Sequence, residues 1–514
     1  MRAALNTCLI GLSFIFILGL WVDFSLRSSS VFRLSVSNFW TLRILTVLIL
    51  CRLAFLRRPR WLESPAAVWL SACLFFIIMF LTKWFQHLSF HAHAEDLGRF
   101  HSVLWITVHG KFAVDSLTGE IYFSDHLMFF LLLLVPFYWI HAGPETLFAL
   151  TALWFAAAAV CFWRLALERL SDRFLALLLC LAFASNRYVW GAFLHEFHPD
   201  FFAPVLFFLL FVAYERRRKF LYFTTLTLLL ILKEDYSLYL IPIGLYFLIR
   251  KNARFLGLAT VAFASLYAFT AFSFVLPFFY AAEGKAGGYS YLASWPHAGG
   301  SFAGIAASVF THPSGWLNAV STRALTNFGL KFLLLPLASP LTLVHLVPTL
   351  LVHLSSAHPL IRGLSIHYGL VPATLAFLAS VEGLRNLRKY AGRFANAVSA
   401  AVAAVLIAVG LFRFTFFIPV KETREDFLPW LVSVGESAVC IQSSLFPHVA
   451  PIDRLSIFPD CAPKTELLSI HISADTYPFS QTQFRKEIRD LLVTYRLKFF
   501  GREGDWVLFR RAAK

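Results

Sequence analysis

Charged residues are scarce in this sequence: Asp, Glu, Lys and Arg make up only 14% of its 514 residues. Hydrophobic residues make up 59%, including 57 Phe and 14 Trp, and the mean hydropathy is +0.69. Soluble globular domains contain about 25% charged residues and fewer apolar ones. The composition therefore excludes an ordinary soluble globule and indicates a membrane protein that crosses the bilayer several times.

The motifs of several common enzyme classes are also missing. The sequence contains no Walker-type phosphate loop, no GxSxG elbow and no CxxC pair, the patterns of nucleotide hydrolases, α/β-hydrolases and thiol or zinc proteins. It has no repeat of fixed period and no low-complexity tract. The first apolar run lacks a small-residue cleavage site, so we expect no cleaved signal peptide.

Cysteine is infrequent, with 7 residues in the chain. Five of them lie in or beside apolar runs without metal-binding spacing, where a thiol behaves as a small hydrophobic group. Cys440 and Cys461 lie in the polar C-terminal region. If that region faces an oxidising compartment, the two can form a disulfide bond.

Basic residues outnumber acidic ones by 45 to 29, and they concentrate in short segments between apolar runs. The clearest are RRPR (57–60), RRRK (216–219), RKNAR (250–254) and RNLRK (385–389). The positive-inside rule places such segments in the cytoplasm. This distribution accounts for the positive charge, so we expect no nucleic-acid partner.

The apolar runs give fourteen candidate spans, and we expect about thirteen of them to cross the membrane. The candidates are residues 5–24, 37–56, 66–82, 127–141, 145–163, 174–190, 201–215, 220–232, 236–249, 255–279, 322–338, 340–354, 368–384 and 395–418. Counts of crossings from the two ends of the chain disagree by one between residues 127 and 190. We expect that 127–141, which contains Pro136, or its neighbour does not cross fully. The N-terminus is then cytoplasmic and the C-terminus extracytoplasmic.

The predicted organisation has four parts. Residues 1–82 form N-terminal transmembrane helices, 83–126 an extracytoplasmic amphipathic loop with an acidic motif, 127–418 a transmembrane helical core, and 419–514 a small α/β extracytoplasmic domain. The last assignment depends on alternating segments such as SAVCIQSS, LLSIHISA and DWVLFRR, which predict strands.

Two further segments have their own predicted forms. The stretch LGRFHSVLWITVHGKF places Leu97, Phe100, Leu104 and Val108 at helical spacing, which predicts an amphipathic helix at the membrane surface. Residues 280–321 are rich in Gly, Ala, Ser and aromatics, which favours a mobile loop or lid.

Four polar clusters fall on the predicted extracytoplasmic side. They are Glu95-Asp96 with Arg99 and His101, Asp125-His126, HEFHPD with His195, Glu196, His198 and Asp200, and KED with Lys233, Glu234 and Asp235. Charged residues at a membrane boundary are costly unless they are solvated or paired. Their accumulation on one side therefore favours a functional cavity.

Each cluster also has a purely structural interpretation. Glu95 and Asp96 can cap the helix that follows them, and KED can be a solvated turn. The HEFHPD residues suit Zn or Mn, but Pro199 interrupts the helical register that would align them. Contact with a lipid phosphate or helix capping is therefore favoured for that motif. His91 and His93 are interpreted as exposed loop histidines.

The ordered segments EDLGRFHSVLWITVHGKF, DHLMFFLLLLVPFYWI, HEFHPDFFAPVLFFLLFVAYERRR, LKEDYSLYLIPIGLYFL and SIHYGLVPATLAFL resemble the bacterial membrane-protein family "domain of unknown function 2079". The tail SAVCIQSSLFPHVAPIDRLSIFPD is similar to the extracytoplasmic end of that family, and the likeness runs from about residue 90 onward. The family is similar to the C-type (GT-C) glycosyltransferases, multi-span enzymes that take a sugar from a polyprenyl-phosphate carrier at the outer face of the membrane.

The resemblance implies an all-α, GT-C-like polytopic protein of the bacterial inner (plasma) membrane that works as a hexosyltransferase. Its partners would be membrane lipids, a polyprenyl-phosphate sugar donor and a glycan, lipid or protein acceptor outside the cytoplasm. No cofactor is required by the resemblance, and a divalent metal, Mg or Mn, is the candidate. Two departures from the superfamily pattern stand out: His101 replaces the usual amide residue, and two spans precede the loop instead of one.

The resemblance also implies roles for individual residues. Asp96 matches the acidic residue that serves as base or metal contact, with Glu95 as the alternative. The residues predicted to bind the substrate and its phosphate are Lys233, Glu234, Asp235, His195, His198, Asp200, His126, Arg99 and His367.

A transporter or flippase of a lipid-linked or small polar solute is the competing interpretation, because it also needs charged residues around a cavity within the membrane. Such transporters commonly show two similar halves or paired broken helices, and neither pattern is evident in the sequence. A noncatalytic scaffold would leave the clustered acids and histidines unexplained.

Overall fold

The computed structural model describes most of the chain. The described residues are 9, 11–13, 15–18, 31–33, 36–55, 60–250, 253–285, 289–299, 302–412, 415–418, 438–449 and 455–511. The predicted span 5–24 and the basic segment 57–60 lie largely outside them.

The described chain is mostly helical, with a small sheet near its C-terminal end. In chain order the helices are α1 (Val36–Phe55), α2 (Pro65–Leu88), α3 (Arg99–Val108), α4 (Val135–Ile140), α5 (Pro144–Leu170), α6 (Arg173–Ala184), α7 (Arg187–His195), α8 (Ala203–Glu215), α9 (Lys219–Leu230), α10 (Tyr236–Ile249), α11 (Arg254–Thr270), α12 (Leu276–Ala282), α13 (Phe302–Thr311), α14 (Pro313–Ala319), α15 (Thr322–Lys331), α16 (Leu343–Leu354), α17 (Pro359–Arg362), α18 (Leu370–Tyr390), α19 (Ala395–Gly410) and α20 (Gln481–Thr494).

Four helical segments among the described residues are long and apolar enough to cross a membrane by themselves. They are Pro65–Leu88, Pro144–Leu170, Arg254–Ala282 and Pro359–Tyr390. Apart from α1, which has 20 residues, the other apolar helices have 10–17 residues, shorter than the ~20 residues that a straight helix needs to span ~30 Å of hydrocarbon. The prediction of about thirteen crossings is therefore not confirmed.

Local breaks explain why several predicted spans are shorter than expected. The stretch 127–141 contains a six-residue 3₁₀ segment followed by the six-residue α4, with Pro136 near its start. The predicted span 174–190 is divided into α6 and α7, because Asn186 caps α7 by accepting a hydrogen bond from the Tyr188 N–H. A cap of this kind stabilises a new helix start in place of continuation.

Aromatic side chains fill the core between the central helices. The Phe162 ring of α5 lies 4.9 Å from Phe208, 5.4 Å from Phe377 and 6.0 Å from Phe183, measured between centroids. These contacts join α5, α6, α8 and α18 in one cluster. Rings at such separations add favourable pair energies to their large buried area, so the abundance of Phe is explained by packing inside the bundle.

Helices α10 and α11 approach closely through two glycines. A Cβ at Gly257 would lie 2.6 Å from the Leu248 backbone N, and one at Gly244 would lie 2.7 Å from a Val261 methyl. Small residues at a crossing allow helix backbones to come together where lipid supplies no hydrophobic driving force. Any larger residue at Gly257 would separate the two helices.

The region predicted to be a mobile loop or lid contains regular structure. Helices α13 and α14 occupy much of 302–319, and the Trp295 indole N–H donates to the Val352 carbonyl at 2.8 Å. The prediction followed from small and aromatic residues, but Trp316 is buried and packs against His297 with ring centroids 4.8 Å apart.

The C-terminal region forms a small domain with both sheet and helix, as predicted. Strands β3 (Val439–Ile441), β4 (Leu455–Ile457), β5 (Leu467–His471), β6 (Leu497–Glu503) and β7 (Trp506–Arg511) form one mixed sheet in the order β4-β3-β5-β7-β6. β3 pairs in parallel with β4 and β5, and β7 pairs antiparallel with β5 and β6.

One helix and one covalent link complete this domain. Helix α20 begins with a capping box between Ser480 and Gln483, and its Phe484 packs into the domain core. Cys440 and Cys461 are joined by a disulfide bond. Two additional strands lie outside the domain: β1 (Val31–Arg33) pairs antiparallel with β2 (Thr415–Phe417).

The C-terminal domain packs against the loop that follows α2. Phe90 contacts His448, His471 and Trp506 with ring centroids 4.7, 4.8 and 6.0 Å away. The Ala94 N–H donates to Ser443 Oγ at 3.1 Å. The sheet domain and the loop with the acidic motif therefore share a buried interface.

Candidate functional site

The acidic motif lies on a tight helical turn between α2 and α3. Residues Ala94–Gly98 form a five-residue π-helical turn, and α3 continues from it at Arg99. The side chains of Glu95 and Asp96 do not cap α3, contrary to the capping interpretation. The helix is also not an exposed surface helix, because Phe100, Val103 and Leu104 are buried in the protein core.

Glu196, within the HEFHPD motif, fixes the conformation of this turn. One of its carboxylate oxygens accepts from the His93 N–H at 2.7 Å, and the other accepts from the N–H groups of Asp96 at 3.1 Å and Leu97 at 2.8 Å. The Glu196 side chain is buried. A buried carboxylate is stabilised when several N–H groups satisfy it, so Glu196 positions Asp96 through the backbone.

Asp96 is paired with the histidine that precedes Glu196. His195 Nε2 lies 3.2 Å from Asp96 Oδ2, and the Asp96 side chain remains 24% exposed. Burial would raise the pKa of Asp96, but its hydrogen bond with His195 and the nearby His198 and His367 bring that pKa below its ordinary value. Asp96 is thus held in the ionised form, which can accept a proton or bind a cation.

Glu95 experiences a different environment from its neighbour. Burial, followed by the negative charges of Glu196 and Asp96, raises the pKa of Glu95 above its ordinary value. This burial is partial, because the residue as a whole is still accessible to solvent. Glu95 and Asp96, the two predicted alternatives for the base, are therefore adjacent in sequence, but their pKa values are shifted in opposite directions.

His198, Asp200 and His367 lie directly beside the Asp96–His195 pair. His198 Nδ1 is 3.1 Å from Asp200 Oδ2, and the His198 and His367 rings stack with centroids 3.8 Å apart. Asp200 Oδ1 accepts from the Tyr236 hydroxyl at 2.8 Å. We call Asp96, His195, His198, Asp200 and His367 the acid–histidine cluster.

The cluster contains two groups with the geometry of a metal site. Ligand atoms of Asp96, His195 and His367 lie within 4.8 Å of one another, and so do those of His198, Asp200 and His367. His367 belongs to both groups. Pro199 interrupts the helical register within HEFHPD, but the third ligand of each group, His367, comes from outside that motif, near the start of α18.

The KED turn between α9 and α10 places its central acid in a closed network. Glu234 Oε1 lies 2.7 Å from His126 Nδ1 and also accepts from the Tyr289 hydroxyl, while Oε2 accepts from the Leu127 N–H at 2.8 Å. Both carboxylate oxygens are therefore occupied. These contacts favour a structural role for Glu234, which stabilises the KED turn. They do not favour the predicted role, in which Glu234 orients a substrate.

Lys233 and Asp235, on either side of Glu234, line an apolar cavity of about 160 Å³. Their charged atoms, Nζ and Oδ2, are 4.0 Å apart, and Asp235 Oδ1 is buried without a hydrogen-bond partner among the described residues. Burial raises the pKa of Asp235 to about 7 despite the proximity of Lys233. We call this space the lysine cavity; its other lining residues are His126, Leu238, Tyr239, Phe272, Tyr289, Tyr291, Leu292, Trp295, Ile305, Val309, Trp316, Val352, His353, Ile361 and Tyr368.

Two short connections link the acid–histidine cluster to the lysine cavity. His367 of the cluster is followed by Tyr368, which lines the cavity, and their rings lie 4.1 Å apart. On a second route, Tyr236 binds Asp200 and contacts Tyr239 of the cavity wall with ring centroids 5.6 Å apart. The sequence-predicted residues on HEFHPD, KED and IHYG therefore meet in one region.

Arg99 is positioned differently from the prediction. Its guanidinium binds Asp115 Oδ2 at 2.5 Å and Asp125 Oδ2 at 2.8 Å. Two carboxylates already neutralise it, so the arrangement does not favour the predicted contact with phosphate. Asp115 did not stand out in the sequence, because it is isolated from every polar cluster.

The interpretation of His91 and His93 as exposed loop residues is wrong. His93 is buried, and its Nε2 lies 3.4 Å from Asp475 of the C-terminal domain. Burial would raise the pKa of Asp475, but its contact with His93 lowers that pKa. His91 is partly buried, and its ring lies 5.5 Å from that of Phe417.

Long apolar helices, a bundle with an aromatic core and charged groups buried at one end define a helical membrane protein. Residues 86–436 match the family described as "Predicted membrane protein (DUF2079)", and the chain belongs to that family. No curated protein matches the chain.

Two solved structures show a distant likeness to the chain. Both are of ArnT from Cupriavidus metallidurans, one bound to undecaprenyl phosphate and one in the apo state. The first is 12% identical, covers 86% of this chain and 98% of that one, and has a TM-score of 0.42. The second is 12% identical, covers 87% and 98%, and has a TM-score of 0.47. Likeness at this level carries no conclusion about fold or function.

Proposed function

We propose that this protein is a membrane glycosyltransferase of GT-C type, which moves a sugar from a polyprenyl-phosphate donor to an acceptor outside the cytoplasm. The observation that carries the proposal is the junction of two unlike sites: an ionised carboxylate–histidine cluster adjoins an apolar cavity that contains Lys233. A donor of this kind has an apolar tail, an anionic phosphate and a sugar, and the reaction needs a base near the acceptor hydroxyl.

The residues would divide the reaction between them as follows. Lys233 would bind the donor phosphate by a charge-assisted contact, and the unpaired oxygen of Asp235 would accept a hydrogen bond from the sugar. Asp96 would accept the proton of the acceptor hydroxyl while the hydroxyl oxygen bonds to the anomeric carbon. In the same step the bond between that carbon and the phosphate oxygen breaks, and polyprenyl phosphate leaves with the electron pair.

The donor set of the acid–histidine cluster also fits a divalent metal. His367 with either Asp96 and His195 or His198 and Asp200 would hold it. Imidazole and carboxylate ligands together suit Zn or Mn better than Mg, which prefers oxygen ligands. A bound ion would supply positive charge for substrate oxygens. Because His367 belongs to both groups, His367→Ala should reduce Zn or Mn affinity by more than the roughly 10- to 100-fold that loss of an outer-shell partner costs, measured as metal content of purified protein after dialysis.

The contacts also support the proposed orientation of the loop 83–126 and the C-terminal domain, outside the cytoplasm at the bacterial plasma membrane. The loop 83–126 packs against the C-terminal domain, which requires both on one side of the membrane. At the other end of the bundle, Arg169 contacts Glu382 at 2.8 Å and Arg250 contacts Glu215 at 3.1 Å, next to the basic segments 216–219 and 385–389. The positive-inside rule puts that end in the cytoplasm. The Cys440–Cys461 bond is in keeping with an oxidising compartment for the tail.

Release of free polyprenyl phosphate tests the proposed function. Purified protein in lipid would be given a panel of polyprenyl-phosphate sugars and an acceptor extract, and Asp96→Asn would be compared with the native protein. Asp490→Asn, a change of an exposed acid on α20, is the matched control. We expect release by the native protein and the control but not by Asp96→Asn. Absence of release from every donor, together with movement of the intact lipid-linked sugar between leaflets, would instead establish a flippase.

A further inference from the structure

A cleft lined by arginines lies apart from the lysine cavity. One part, of about 340 Å³, is lined by Arg43, Arg187, Tyr188 and Ser365 among others. An adjoining part, of about 270 Å³, shares Arg187 and Tyr188 and adds Arg323 and Arg362. We call the two parts together the arginine cleft.

The arginine cleft has positive charge without compensating acids. No Asp or Glu lines either part, and among the described residues no carboxylate forms an ion pair with Arg43, Arg187, Arg323 or Arg362. Arg43 lies over the rings of Phe39 and Trp40 at 4.3 and 4.9 Å, and its Nε is buried without a hydrogen-bond partner. Four arginines gathered in one cleft repel each other unless an anion binds between them.

An apolar groove leads from the arginine cleft along the outside of the bundle. It has a volume of about 480 Å³, and its lining includes Trp40, Ile44, Leu330 and Val405 from α1, α15 and α19. Arg43 lines both the groove and the cleft. Trp40, Ile44 and Leu330 are 56%, 47% and 55% exposed, so the groove is open toward the outside of the bundle.

We propose that the groove and the arginine cleft together bind a membrane lipid with an anionic phosphate head group. The hydrocarbon chain would lie in the groove, and the phosphate would accept hydrogen bonds from Arg43 and Arg187. Guanidinium groups match phosphate oxygens in charge and in geometry. The cleft reaches Ile366, next to His367 of the acid–histidine cluster, so the bound head group would lie beside the proposed reaction centre. The inference does not depend on sugar transfer.

Lipid retention provides the first test. The full-length protein would be placed in phosphatidylcholine nanodiscs containing a minority of phosphatidylglycerol, released into the gas phase, and the retained lipids counted by native mass spectrometry. We expect preferential retention of phosphatidylglycerol. The double variant Arg43→Gln/Arg187→Gln should weaken that preference by roughly 10- to 30-fold. The control, Arg485→Gln/Lys486→Gln, removes two exposed charges from α20 of the C-terminal domain, outside the basic membrane segments, and should retain the native preference.

A second measurement, fluorescence quenching, tests whether the hydrocarbon chain of the lipid lies in the groove. Brominated acyl chains quench tryptophan fluorescence on contact, and Trp40 lines the groove. Brominated phosphatidylglycerol should quench the native protein more than Trp40→Phe, and the difference should disappear in Arg43→Gln/Arg187→Gln. Equal elution volume and Tm for all variants would show that they are folded.

Two results would overturn the proposal. Equal retention of phosphatidylglycerol by the native protein and the double arginine variant would show that the cleft binds no lipid head group. If soluble glycerol 1-phosphate bound to the cleft as tightly as the lipid, by calorimetry, and Trp40→Phe left the quenching unchanged, the occupant would be a free phosphorylated compound and not a lipid.

Discussion

The acid–histidine cluster and the lysine cavity contain similar residue types in opposite arrangements. In the cluster each carboxylate contacts an imidazole, at 3.2 Å for Asp96 and 3.1 Å for Asp200. Beside the cavity, Glu234 contacts an imidazole and has both oxygens occupied, whereas Lys233 and Asp235 line the cavity and face its apolar walls. The cluster is therefore suited to proton transfer or metal binding, and the cavity to recognition of an amphiphilic anion.

Closeness in sequence therefore does not determine which residues work together. Glu234 and Asp235 are neighbours, yet one holds the turn together and the other lines the cavity. Asp96 and His367 are separated by most of the chain and share a candidate metal group. If the two regions have separate tasks, substitutions in each should affect different kinetic constants.

The largest effect is expected for removal of the proposed base. Asp96→Asn should lower kcat by about 10²- to 10⁴-fold with little change in KM for the donor, measured as release of polyprenyl phosphate. Glu95→Gln, one residue earlier, should leave kcat within a few-fold of native. The reverse order of effects would transfer the role of base to Glu95, whose pKa is raised.

Substitution in the lysine cavity should have the opposite kinetic signature. Lys233→Gln removes the positive charge 4.0 Å from Asp235, and the donor phosphate would lose a charge-assisted contact of about 1.5–3 kcal/mol. We expect KM for the donor to rise by about 10- to 100-fold while kcat changes less. Lys219→Gln is the control. A fall in kcat at unchanged KM would contradict the division of tasks.

The pH dependence of donor binding should distinguish the cavity from the cluster. The pKa of Asp235 is raised to about 7, so below pH 7 this carboxyl is mostly neutral and leaves the charge of Lys233 available to phosphate. Above pH 7 it ionises and opposes the anion. Donor affinity should therefore fall as pH increases through about 7, and Asp235→Asn should abolish that fall, measured by equilibrium binding with the Asp96→Asn protein to prevent turnover.

A phosphodiester donor makes this experiment clean, because its own charge is constant across the range. The raised pKa of Asp235 also determines how its contribution to the free energy of unfolding changes with pH. Since the folded state keeps a proton that the unfolded chain releases near pH 4, Asp235 lowers the free energy of unfolding progressively as pH rises from about 4 to 7. An affinity that increased with pH would contradict the assignment.

Sequence reasoning succeeded where the local pattern determined the structure. The predicted apolar segment 236–249 coincides with α10, and the three strand segments of the tail are strands. It succeeded less well for side-chain partners, because these depend on distant packing: Glu196 contacts a backbone N–H 103 residues away, and Glu234 contacts a histidine 108 residues away. The spacing of residues within a helix or strand carries no information about contacts between residues so far apart in the sequence.

The same limit explains why the predicted number of crossings is not confirmed. Hydropathy detects apolar runs but does not tell a membrane-crossing helix from a shorter helix buried among others, such as α6 within the predicted span 174–190. Arg99 was assigned to phosphate because its partner Asp115 lies outside the recognised motifs. The roles of the cluster and cavity residues remain predictions, since contacts establish their positions and kinetics must establish their tasks.

The smallest effect is expected where the C-terminal domain contacts the turn that holds Asp96. A Cβ at Gly98 would lie 2.5 Å from a ring carbon of Phe446 in that domain, so Gly98→Ala requires the Phe446 ring or the turn to move. Overpacking of this kind costs about 1–3 kcal/mol, which should lower Tm by a few degrees.

If the domain helps to position Asp96, kcat should also fall by a few-fold. Phe446→Leu in the Gly98→Ala background should then recover part of both losses. Recovery of Tm without recovery of kcat would show that the domain stabilises the turn but does not position its carboxylate.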